Sequence, residues 1–182
     1  MTAKVSVFIA TSLDGYIARA DGGLDWLDRA NATITPGEDC GYRAFIDSVD
    51  VLVMGRLSYE KVLGFDTWPY GDKRVIVLSS SALAIPDALG KTVSASAEAP
   101  QALLARLNAG GAKHLYVDGG VTIQRFLRAG LVDEITITTI PVLLGQGRPL
   151  FGWLDADIRL KHRSTVTYPF GFVQSTYLLR AE

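Results

Sequence analysis

The sequence predicts one α/β domain: a mostly parallel central sheet with helices on both faces and an antiparallel hairpin at its C-terminal end. Three observations carry this expectation. Short apolar runs alternate with segments whose apolar residues recur at helical spacing. Most of these runs end in small residues just before the next helix. The C-terminal segment breaks the pattern, with two long strand-like runs around Pro169-Phe170-Gly171.

Taken in order, Lys4 to Ala10 reads as a mostly apolar strand, followed by a polar, glycine-rich stretch from Asp14 to Gly37. Tyr42, Phe45, Ile46 and Val49 recur at helical spacing. Val51 to Met54 is a short buried strand ending at Gly55, and a helix opens near Leu57 with Tyr59, Val62 and Leu63 on one face. Arg74 to Leu78 is the next strand, and Thr92-Val93 a brief one. Ala102 to Asn108 is helical until Gly110-Gly111 stops it. His114 to Val117 is a strand broken by Gly119-Gly120; Ile123, Phe126, Leu127 and Leu131 mark the helix after it. Asp133 to Ile140 is a strand, and Ile158 to Tyr168 with Phe172 to Leu179 form the closing hairpin. No repeat or linker divides the chain, so residues 1–182 are expected to be a single domain.

Composition narrows the function. A net charge of -1 gives no reason to expect nucleic acid or an anionic membrane as partner. No stretch approaches the roughly 20 apolar residues of a membrane span, and the N-terminal run lacks the features of a signal peptide. The single cysteine, Cys40, has no partner for an internal disulfide, which fits a reducing compartment and a cytoplasmic location. The two histidines, His114 and His162, lie far apart with no metal-spacing motif, so no metal is expected. The absence of a G-x-S-x-G elbow argues against a hydrolase.

In open α/β sheets, ligands bind beyond the carboxyl ends of the strands. That rule selects Ala10-Thr11, Gly55-Arg56, Ser79-Ser80, Gly119-Gly120 and Thr138-Thr139. Gly119-Gly120 lets a ligand approach the backbone, and the helix that follows offers free N–H groups to a pyrophosphate. The same glycines would also serve a tight turn with no ligand. Arg56 puts a cation at a helix start, which the helix dipole disfavours and a bound anion would explain; a solvated arginine is the plainer account. Ser79-Ser80-Ser81 would supply hydroxyls to that anion or form a simple turn. Read together, two such turns fit a dinucleotide. Asp39, just before the apolar face of the Tyr42 helix, is the candidate acid; its other role is to cap that helix.

These segments resemble the dihydrofolate-reductase-like superfamily. The nearest group holds the C-terminal reductase domain of the bacterial bifunctional riboflavin-biosynthesis deaminase/reductase and its stand-alone relatives. The resemblance runs through Ser12-Leu13-Asp14-Gly15-Tyr16-Ile17-Ala18, Val53-Met54-Gly55-Arg56, Val75-Ile76-Val77-Leu78-Ser79-Ser80, Val117-Asp118-Gly119-Gly120, and Pro141 to Gly145 through Arg148-Pro149-Leu150-Phe151. It implies NADPH as cofactor and hydride transfer to a pteridine- or pyrimidine-like heterocycle. Ala10 and Ile17 would flank the nicotinamide. Gly55, Arg56, Leu57 and Ser58 would hold phosphates, and Arg56 with Leu78, Ser79 and Ser80 would meet the 2′-phosphate. Gly119, Gly120, Val121 and Thr122 would close over the pyrophosphate. Asp39 falls at the substrate-binding acid, Thr138 at a threonine linked to that acid, and Trp26 at the tryptophan of a mobile loop, here a lid around Gly22-Gly23. Relatives are commonly homodimers. Tyr16 stands where the riboflavin reductases carry a basic residue, and their Asp-Asp-Pro segment is missing, which leaves the substrate open. The alternative is a non-catalytic nucleotide- or pterin-binding protein, distinguished by NADPH binding without turnover.

Overall fold

The computed structural model describes residues 2–179. Its strands are β1 (Lys4–Ser12), β2 (Tyr16–Ala18), β3 (Val51–Gly55), β4 (Arg74–Leu78), β5 (Val93–Ser96), β6 (His114–Asp118), β7 (Glu134–Ile140), β8 (Arg148–Pro149), β9 (Lys161–Thr167) and β10 (Val173–Leu178). The helices are α1 (Asp25–Asn31), α2 (Tyr42–Asp47), α3 (Arg56–Leu63), α4 (Pro100–Ala109) and α5 (Gly120–Arg128). An eight-stranded sheet runs in the order β5-β4-β3-β6-β1-β7-β10-β9. The first six are parallel; β10 pairs antiparallel with both β7 and β9.

Alternation along the strands sorts the core into two layers. Val5, Val7, Val53, Ile76, Leu115, Val117 and Ile135 face one side, where they pack with Leu103, Leu104 and Leu107 of α4 and Ile123, Phe126 and Leu127 of α5. Leu52, Met54, Val75, Val77 and Tyr116 face the other, with Tyr59 of α3 and Tyr42, Phe45 and Ile46 of α2. A third cluster of Trp26, Cys40, Ile140 and Phe172 lies beyond the carboxyl end of β7.

Two features differ from the sequence-based expectation. The polar, glycine-rich stretch from Asp14 to Gly37, to which the sequence assigned no element, holds β2 and α1, and β2 pairs with the distant two-residue β8. Three- and two-residue strands leave no periodicity to read. The hairpin strands are also shorter than the strand-like runs of the sequence, and β9 is exposed at every position. Among the described residues, no helix is long and apolar enough to cross a membrane. None of their His, Cys, Asp and Glu side chains cluster to hold a metal ion.

Candidate active site

Because β3 and β6 are parallel neighbours, the two glycine turns at their carboxyl ends lie side by side. Gly55 ends β3 and α3 starts at Arg56; Gly119 follows β6 and α5 starts at Gly120. The turns touch closely. A Cβ on Gly119, whose φ is 88°, would collide with Ser58 Oγ, and one on Gly55 would lie 2.9 Å from Thr122 Oγ1. Glycine at both places lets the amino ends of α3 and α5 converge. Gly120 is equally crowded, with Ile17 Cδ1 2.9 Å from where its Cβ would be. Leu57 and Val121, on the first turns of these helices, keep 55% and 69% of their surface exposed.

Beside the turns lies a polar hollow of about 290 Å³, lined by Arg56, Leu78, Ser79 to Ser81, Ser96, Ala97, Glu98 and Arg125. Arg125, one turn into α5, was not singled out from the sequence. Its approach to Arg56 depends on the neighbouring placement of β3 and β6, which no local pattern shows. The two arginines are unequally engaged. Arg56 has only a 3.7 Å approach to Glu60, and Arg125 makes no ion pair among the described residues. Glu98 does not neutralise them, since Arg106 holds its carboxylate at 2.6 Å. The hydrogen bonds from Arg106, helped by Ser96, keep that carboxyl below its usual range.

Further along the rim, Ala10 of β1 packs against the third cluster beside Trp26, while Ile17 covers Gly120. Trp26 is 4% exposed on α1 and packs with Cys40, Ile140 and Phe172. The loop before it is pinned: Arg19 forks onto Asp25 at 2.5 and 2.9 Å, and Arg148 Nε donates to Ala20 O.

Asp39 and Thr138 are not joined as the resemblance implied. Asp39 is exposed, and its two carboxylate oxygens accept from the backbone N–H groups of Gly41 and Arg43 at the start of α2. Those two bonds tie the carboxylate to the amino end of α2. Thr138 is buried and accepts from Gln174 Nε2 at 2.9 Å; the same amide donates to Cys40 O. Gln174, opposite Thr138 on β10, therefore ties the loop before α2 to the sheet.

A second acid at the sheet's carboxyl edge is Asp118, the last residue of β6. Its side chain is densely surrounded yet not sealed from solvent. Burial pushes its carboxyl upward, against lowering by the Gly119 N–H and Tyr116. Tyr116 O–H donates to Phe8 O at 2.9 Å, so its 3.4 Å approach to Asp118 Oδ1 is the weaker arm of one proton. Tyr42 and Tyr70 complete the surround. Burial, then Asp118, raises the Tyr42 phenol to about 12 and moves that of Tyr70 still higher. From the sequence, Asp118 was noticed only as part of the glycine segment. The missed signal was its place on the Tyr116 face, two residues on.

A parallel sheet with paired glycine turns, an arginine–serine hollow and a desolvated acid defines a reductase-type fold of the dihydrofolate-reductase class. Within that class the chain belongs to the RibD C-terminal domain family, which matches residues 3–173. It is 35% identical to YwjB, an uncharacterised protein of Bacillus subtilis (strain 168), over 100% of both chains. It is also similar to a putative riboflavin biosynthesis protein from Shewanella sp. PV-4, at 42% identity, TM-score 0.90 and 100% coverage of both chains. Enterococcus faecalis dihydrofolate reductase, solved with NADP(H), shares the fold at TM-score 0.62 and 17% identity, with 98% of each chain covered.

Proposed function

We propose that this protein is an NADPH-dependent reductase that transfers a hydride to a pteridine- or pyrimidine-like heterocycle. The observation that carries the reading is the hollow in which Arg56 and Arg125 meet Ser79, Ser80 and Ser81 beside the converging turns of Gly55 and Gly119. The donor set fits the cofactor. Two incompletely paired guanidinium groups and a run of hydroxyls suit a terminal phosphate monoester. The adjacent helix amino ends suit a pyrophosphate.

When bound, NADPH supplies the hydride. The chain's residues bind, orient and protonate. Gly55 and Ser58 on one side and Gly119 to Thr122 on the other hold the phosphates. Ala10 and Ile17 would flank the nicotinamide. Asp118 carries the acid role that the sequence placed on Asp39. As hydride adds to the carbon of a C=N or C=O bond, Asp118 gives its proton to the nitrogen or oxygen and recovers one from solvent. Burial raises that carboxyl above its ordinary value, which favours the protonated form this role uses. Holding donor and acceptor in line contributes on the order of 7–11 kcal/mol. The single Cys40, buried and free, agrees with work in a reducing cytoplasm.

The test is a titration following energy transfer from protein tryptophan to reduced cofactor. NADPH should bind at least tenfold more tightly than NADH. Equal affinity for the two, or no binding, would remove the reading. A homodimer is proposed as the working assembly, supported by the exposed edge strand β9; sedimentation at monomer mass would end that part.

A further inference from the structure

Glu98 is an acid in the wall of a hollow whose other charged groups are the cations Arg56 and Arg125. The sheet fixes its place. Ser96 ends the edge strand β5, opposite Leu78 in register, and its carbonyl accepts from the Ser79 N–H at 2.9 Å. Two residues on, Glu98 lines the same hollow as the serine run. A free carboxylate there competes with any anionic ligand. It repels a phosphate, and it offers the two guanidinium groups a partner from within the chain.

Arg106 of α4 removes that competition. Its Nε donates to Glu98 Oε1 at 3.1 Å and to Oε2 at 2.9 Å, and its Nη2 donates to Oε2 at 2.6 Å. Ser96 Oγ donates to Oε2 at 2.7 Å and accepts from the Glu98 N–H. Among the described residues, the ion pair of Glu98 is with Arg106 and not with Arg56 or Arg125. Arg106 does not itself line the hollow, so it acts there through Glu98. The two side chains keep 44% and 32% of their surface exposed. An ion pair that exposed adds little to stability, so its consequence lies in what the hollow binds.

We infer that Arg106 is a positioning residue for cofactor choice: with Ser96 it clamps Glu98 away from Arg56 and Arg125, and so reserves the hollow for a phosphate monoester. This rests on the reductase reading and deepens it by naming what sets its preference for the 2′-phosphorylated cofactor. With the clamp made, Glu98 and Arg106 cancel and two cations face the ligand. Without Arg106, the Glu98 carboxylate is free to cancel one of those cations. It is also free to accept from an unphosphorylated ribose hydroxyl, as acids do in dinucleotide folds that take NAD.

The experiment titrates NADPH and NADH into the full chain by energy transfer from tryptophan, in the native, Arg106→Ala and Arg106→Ala/Glu98→Gln proteins. Arg106→Ala should lower the ratio of NADPH to NADH affinity at least tenfold, with NADH binding unchanged or improved. Adding Glu98→Gln, which removes the competing charge, should bring the ratio back to within threefold of the native one. A merely structural role for Arg106 would move both cofactors alike and would not be mended at Glu98. An unchanged ratio in Arg106→Ala, or no recovery in the double variant, would overturn the inference. Adenosine 2′-monophosphate, which carries the phosphate monoester without the nicotinamide, is titrated in parallel by ligand-detected NMR. If the native chain binds it and Arg106→Ala weakens it tenfold, while neither dinucleotide binds, the reductase reading fails and the clamp stands. A native chain that binds none of the three overturns both.

Discussion

Ser58 packs against Gly119 so closely that no side chain fits between them, and this contact locks the first turn of α3 to the start of α5. Gly119 also has a φ of 88°, in the region that favours glycine. Gly119→Ala should therefore destabilise the protein by about 1–3 kcal/mol and weaken NADPH by tenfold or more. Adding Ser58→Gly relieves the collision but not the backbone strain, so only part of the stability should return. Chemical denaturation of the single and double variants checks both statements.

Arg125 and Arg56 share the hollow, and their removal should be read on NADPH against NADH. Arg125→Ala should cost NADPH about 1.5–3 kcal/mol of affinity, the range for a charge-assisted hydrogen bond, and leave NADH nearly unaffected. Arg56→Ala should do the same. Equal losses for the two cofactors in both variants would place these arginines elsewhere.

Asp39→Ala should behave as the loss of a helix cap. Both oxygens serve the amides of Gly41 and Arg43, so stability should fall by about 0.5–2 kcal/mol. The hydride-transfer rate at neutral pH should stay within about twofold. A drop of a hundredfold in single-turnover rate would return the acid role to Asp39.

Asp118→Asn should raise stability at neutral pH while abolishing turnover. The folded state lifts this carboxyl above its ordinary value of 3.8, through burial among Tyr42, Tyr70 and Tyr116. The folded protein then holds the proton more tightly than the unfolded chain does. Stability is therefore greatest below the unfolded value and is lost as pH rises through the folded one. Asparagine removes that loss, so melting curves of the two proteins should converge in acid and separate toward neutrality.

Asp14 shows the opposite sign. It accepts from Ser12 Oγ at 2.6 Å and from the N–H groups of Leu144 and Gly145, fastening the turn after β1 to the loop after β7. The Ser12 bond, with those amides, outweighs desolvation and lowers its carboxyl below 3.8. Its contribution is present above the unfolded value and is lost as pH falls through the folded one. Asp14→Ala should lower the melting temperature at neutral pH, with the difference from the native chain shrinking in strong acid.

The alternation of apolar strands and helices, the glycine turns at Gly55 and Gly119, and the closing hairpin were all legible in the sequence, because each is a local matter of side-chain period and backbone freedom. The arginine–serine hollow was half legible. Arg56 and the serines lie at strand ends, whereas Arg125 joins them only because β6 sits next to β3 rather than next to β5. Asp39 showed the limit of local reading: an acid before a helix looks the same whether it faces the ligand or the helix amides. Strand order decided the rest. It brings Tyr116 and Asp118 of β6 beside Phe8 of β1 and under Tyr42 of α2, and this assembly buries one carboxyl enough to raise it above its ordinary value.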